Sequence, residues 1–215
     1  MFIGVIIATL AVVLATGNIP SISNGHPLTG VAQIIFYAVG GSVAWRFFRR
    51  TGRAVFSPLR RRDVHVIVTA IIALILVRVA VVIQLVVTNQ TKHVQAGFEH
   101  YDVVAKQPSV TALSVVLAVV ALVVIGPVVE EIVFRGLLFG ALAPRLGTLA
   151  GALVTALVFG ISHGDPVLFA ALAAFGFVAA LAYAATNNLA VPIVLHVVNN
   201  ALGALLLITK ALHPH

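Results

Sequence analysis

Two adjacent carboxylates and a guanidinium interrupt apolar sequence in the stretch Gly126-Pro127-Val128-Val129-Glu130-Glu131-Ile132-Val133-Phe134-Arg135-Gly136. An ionisable group in such a run is costly unless it is paired or faces a watery cavity. Helical spacing separates the two acids. Glu131 and Arg135 stand four apart on one face, acid first, which is the favoured orientation for an ion pair. Glu131 thus reads as structural. Glu130 lies about 100° round the helix and points elsewhere with a less committed carboxylate, which makes it the candidate general base.

Two further runs carry polar residues. Leu149 to Ser162 ends at His163, and the last run, Leu189 to Thr209, holds His196, Asn199 and Asn200. His196 and Asn200 are four apart and share a face. Other hydrolytic patterns are missing: there is no HExxH and no cysteine. Ser162 and His163 are no dyad, because adjacent helical side chains diverge by about 100°. Asp165 has no second aspartate among the spans.

The chain that must position these groups is 61 % hydrophobic and 9 % charged over 215 residues, with a mean hydropathy of +1.14. Ordinary soluble domains carry about 25 % charged residues. The composition is that of an integral membrane protein. Formal net charge is +7, but seven of the thirteen basic residues crowd between Arg46 and Arg62. That clustering fits the positive-inside rule and not nucleic-acid binding.

The chain reads as one integral-membrane domain over residues 1–215. Residues 1–108 hold three spans: Phe2 to Thr16, Thr29 to Phe48 and Val64 to Val87. A signal peptide is the alternative for the first, since Ala8, Ala11 and Ala15 are small. The basic loop 49–63 is expected in the cytoplasm, which places the N-terminus there as well. It can also meet anionic lipid. Arg78 interrupts the third span and is expected to pair internally or snorkel. The polar segment 88–108 lies outside, and its His93 and His100 read as solvated surface.

Residues 109–215 form the functional core. A helix over Val110 to Ala143 would be about 50 Å long, so a break is expected at Gly126-Pro127, with both glutamates near a helix N-terminus. Arg145-Leu146-Gly147-Thr148 is a turn. Glu130 and His163 are equidistant from it, so antiparallel helices place them at one depth. Gly136 with Gly140, and Gly147 with Gly151, read as packing pairs. Bringing His196 level with His163 requires a reversal near Phe169 to Ala171, or unwinding at Gly164-Asp165-Pro166.

Glu130-Glu131-Ile132-Val133-Phe134-Arg135, Phe159-Gly160-Ile161-Ser162-His163 and His196-Val197-Val198-Asn199-Asn200 resemble, in order, the EExxxR, FxxxH and HxxxN motifs of the CPBP intramembrane proteases. That family includes the type II CAAX prenyl endopeptidase and bacteriocin-processing and immunity proteins. The resemblance covers about Pro127 to Ala201. It implies an all-α bundle of about eight crossings around a catalytic cavity open to the cytoplasm, in a multi-pass protein of the cell membrane. It also implies hydrolysis of a membrane-held peptide or lipidated, possibly prenylated, protein substrate.

By that resemblance Glu130 and His163 activate water, while His196 and Asn200 stabilise the oxyanion. Glu131, Arg135 and Phe159 support the site. Two versions fit equally. In one, Glu130, His163 and His196 hold Zn²⁺, as the name metalloprotease implies; in the other, Glu130 works without metal. The alternative function is a non-catalytic immunity or peptide-binding protein of the membrane.

Overall fold

The computed structural model describes residues 27–52, 57–91, 116 and 119–212. The first apolar run, Arg53 and most of the polar segment, including His93 and His100, lie outside the described residues. Every regular element among those described is a helix, with no strand. Helix α1 spans Pro27–Arg49 and α2 spans Arg61–Val87. A long rod follows, composed of a π-helical turn Ala121–Ile125, helix α3 Gly126–Glu131, a π-helical segment Ile132–Phe139 and helix α4 Gly140–Leu146. Helices α5 Thr148–Ser162, α6 Phe169–Thr186 and α7 Ala190–Leu212 complete the described chain.

Two of these helices, Arg61–Val87 and Phe169–Thr186, are long and apolar enough to cross a bilayer. At about 1.5 Å per residue α2 reaches about 40 Å, more than the roughly 30 Å hydrocarbon core. One side of α2 turns Val64, Val68, Ile72, Ile75, Val79, Val82 and Val86 outward, while Glu131, Arg135 and His196 are buried. An apolar exterior around a charged interior suits lipid as the solvent. The expectation of about eight crossings rests in part on runs outside the described residues.

The break expected at Gly126-Pro127 takes another form. The rod runs on through it, with Ile125 and Gly126 both in right-handed helical conformation. The helix widens instead, and the Gly126 N–H reaches back five residues to the Ala121 carbonyl. In that register the next donor, to the Leu122 carbonyl, would be residue 127. Proline has no N–H to give, so the Leu122 oxygen is released from the ladder. With helix on both sides, the glutamates do not sit at a free N-terminus.

The α4–α5 hairpin has the expected register. Phe134 and Phe159 are also equidistant from the turn, and their rings meet edge-to-face at 5.0 Å. Gly147 serves that turn with φ +83°, and a Cβ there would meet open space. Gly151, by contrast, lies where a Cβ would come within 3.0 Å of the Ala143 backbone. At Gly136 a Cβ would sit 2.7 Å from the ring of the fully buried Phe48. Gly136→Ala is therefore expected to lower stability by about 1–3 kcal/mol through overpacking. Thermal unfolding in lipid nanodiscs checks this, and an unchanged midpoint would show that Phe48 can move aside.

Between α5 and α6 the helix does unwind, as a shared site required. Gly164 takes φ +67°, and Asp165 Oδ1 accepts the N–H groups of Val167 (2.8 Å) and Leu168 (3.1 Å). This is the side-chain capping for which aspartate is suited. Helix α6 then begins at Phe169 and packs back along α5. At its other end Asn187 adopts the left-handed conformation at φ 49°, and the buried Asn188 amide bonds to the Ser57 carbonyl and Asp63 Oδ2. The α6–α7 turn is thereby tied to the start of α2.

Candidate active site

The ion pair predicted from spacing is present: Arg135 Nη1 donates to Glu131 Oε1 at 2.7 Å, and both side chains are fully buried. Arg135 Nη2 donates to the Gly176 carbonyl at 3.0 Å. Its guanidinium lies 4.9 Å from the Phe159 ring centroid, a cation–π arrangement. Three neighbours therefore hold the cation.

Glu131 has a second task that its spacing from Arg135 did not reveal. His196 Nδ1 lies 2.7 Å from the same Oε1 atom, so a proton on Nδ1 is donated to Glu131. A carboxylate holding one imidazole nitrogen fixes the ring and aims the other. That other nitrogen, Nε2, faces Glu130 Oε2 at 3.7 Å. The two glutamates thus flank one histidine, each from its own side of the rod.

Glu130 is as uncommitted as its position implies. Tyr37 donates a long 3.4 Å hydrogen bond to Oε1, while Oε2 is buried with no hydrogen-bond partner. Gly126 makes room for Tyr37, since a Cβ there would come within 3.2 Å of the phenol oxygen. Tyr37 carried no signal in the sequence, because its facing depends on how α1 packs.

Phe159 is the hub. Fully buried, it meets the rings of His163 at 4.6 Å, His196 at 5.8 Å and Phe175 at 5.8 Å. His163 is level with Glu130 in register, but no hydrogen bond joins it to Glu130, His196 or Asn200. Its Nδ1 donates to the Phe159 carbonyl at 2.8 Å, which leaves Nε2 as a lone-pair acceptor at the exposed end of α5. Among the described residues no three His, Asp or Glu side chains gather closely enough to hold one metal ion. As a zinc set, Glu130, His163 and His196 do not fit in this arrangement: His163 is turned back onto its own helix.

Asn200 stands one turn beyond His196. Its Nδ2 donates to the Leu122 carbonyl at 2.9 Å, the oxygen released by Pro127. Oδ1 accepts from Asn199 Nδ2 at 3.2 Å. The amide orientation is thereby defined, and one N–H of Nδ2 remains to bind a ligand oxygen. Asn199 Oδ1 in turn accepts from Arg78 at 2.7 Å, so Arg78 pairs internally, one of the two expected outcomes.

Residues 112–202 match the family model described as "Type II CAAX prenyl endopeptidase Rce1-like". The chain is 36 % identical over 87 residues to a Bacillus subtilis protein provisionally named membrane peptidase YdiL, covering 40 % of this chain and 36 % of that one. It is 34 % identical over 82 residues to "Membrane-embedded CAAX protease MroQ" of Staphylococcus aureus, covering 35 % of this chain and 33 % of that one. The chain spans about a third of the length of these curated relatives. No solved structure matches. The stretch 112–202, which contains all three motifs and every residue of the candidate site except Tyr37 and Arg78, is thus similar to the CPBP family of intramembrane proteases.

Proposed function

We propose that this membrane protein is an intramembrane endopeptidase that hydrolyses a peptide bond of a membrane-held peptide or lipidated protein, with CAAX-type substrates the first class to try. The carrying observation is the buried, unpartnered Glu130 Oε2 opposite His196 Nε2 at 3.7 Å. Two atoms so spaced can both touch one water at ordinary hydrogen-bond distance. Glu130 takes a proton from that water as its oxygen attacks the scissile carbonyl carbon. The proton then passes to the departing amine nitrogen, and one water is consumed for each bond cut.

Charge developing on the carbonyl oxygen meets the free N–H of Asn200 and an N–H on His196 Nε2. With Nδ1–H already given to Glu131, donation from Nε2 requires a doubly protonated ring, which the Glu130 and Glu131 carboxylates flank. His163 becomes a second acceptor for the incoming water only when its ring leaves the Phe159 carbonyl and swings toward the pair. Multi-pass topology with the basic loop and N-terminus in the cytoplasm belongs to the same reading, as does a lipid environment that delivers the substrate laterally.

Purified protein in nanodiscs, presented with a membrane-held reporter peptide in prenylated and unmodified forms, tests the proposal. Cleavage at one bond is expected, and it should survive a chelator because His163 stands apart from the Glu130–His196 pair. Activity lost in chelator and restored by zinc would instead draw the three residues together as ligands. A folded protein that binds the reporter without cutting it would move the non-catalytic reading into first place.

A further inference from the structure

We propose that Arg78 is a positioning residue for the oxyanion-binding amide, acting through Asn199 on Asn200; this rests on the protease reading above. Arg78 lies on α2, outside every family motif and outside the matched stretch 112–202. It stands about 14 Å from the Val87 end of a span, where an unmatched cation is costly. Its Nη2 donates both to the Asn199 carbonyl at 3.0 Å and to Asn199 Oδ1 at 2.7 Å. Main chain and side chain of one residue are clamped together.

The clamp determines which way the Asn199 amide faces. With Oδ1 turned to the guanidinium, Nδ2 is the end presented to Asn200 Oδ1, 3.2 Å away. Asn200 must then present its own Nδ2 outward, where one N–H holds the Leu122 carbonyl and the other is left. Arg78, Asn199 and Asn200 thus form a donor chain pointing one way, from a fixed cation to the free N–H. Each amide is polarised by the one behind it. Without Arg78 the Asn199 amide can flip, Asn200 can follow, and a carbonyl oxygen would face the developing oxyanion.

The test uses the full chain in nanodiscs with the reporter peptide and compares wild type, Arg78→Gln and Asn199→Asp. Asn199→Asp keeps the acceptor for Arg78, and with it the link between α2 and α7, but has no N–H for Asn200. Both variants are expected to lower kcat roughly tenfold to a hundredfold, with KM within about twofold, since a donor aimed at the oxyanion acts in the transition state. The double variant should be no slower than the worse single one. If Arg78 merely joins two helices, Asn199→Asp will be fully active, and that result overturns the proposal. Cleavage by wild type with Arg78→Gln unchanged also overturns it while leaving the protease reading intact. Wild type that cuts nothing removes both together.

Discussion

Glu130→Gln is expected to abolish measurable cleavage while leaving the protein folded. The amide matches the carboxylate in shape and keeps an oxygen for the Tyr37 hydroxyl, which donates to Oε1 at 3.4 Å. It cannot accept a proton from water. General-base catalysis is worth about 10²–10⁴-fold, so kcat should fall by that order with substrate binding retained. Thermal unfolding should stay within a degree or two of wild type, because Oε2 makes no hydrogen bond that the substitution would break. Single-turnover kinetics in nanodiscs measure the effect. A variant cutting within threefold of wild type would place the base elsewhere, with His163 Nε2 the next candidate.

Glu131→Gln should fail in a different way. Arg135 is fully buried, and removing its anion leaves a cation in a site with no solvent, which costs about 3–5 kcal/mol. Native stability is only about 5–15 kcal/mol, so much of the variant should be lost to unfolding. The same change removes the anionic acceptor of His196 Nδ1, which the structure places 2.7 Å from Glu131 Oε1. Any folded remainder should therefore turn over slowly, by on the order of 10²-fold or more, as happens when a histidine loses its orienting carboxylate.

The two consequences can be separated. Replacing Glu131 and Arg135 together by methionine removes the stranded charge, and such paired apolar replacements are often close to neutral. The double variant is expected to regain most of the lost thermal stability and none of the lost activity. Recovery of cleavage along with stability would reduce Glu131 to a partner of Arg135, the role that its spacing alone suggested.

The motif residues were legible because their relations are local or follow from counting. Glu131 and Arg135 pair because four positions bring side chains onto one helical face. Phe134 meets Phe159 because equal distances from a tight turn bring antiparallel helices into register. Unwinding at Gly164 follows from the need to bring His196 level with the α5 end. Pro127 reads as a break because its missing donor and its ring disfavour an ordinary helical turn. A π-helical turn meets the same constraint without ending the helix, and nothing in residue order distinguishes the two outcomes.

Residue types and spacing by themselves determined an apolar helical chain with Glu131 on one face with Arg135, and singled out Glu130, His163, His196 and Asn200 as the candidate chemical residues. Tertiary structure alone decided that Glu131 also holds His196, that Tyr37 donates to Glu130, that Arg78 stands behind Asn199 and Asn200, and that His163 turns back onto its own helix. Each of the first three joins residues separated by 65, 93 or 121 positions. Contacts at such range depend on how whole helices rotate and pack against one another. Periodicity fixes which residues share a face, but not which neighbour that face will meet.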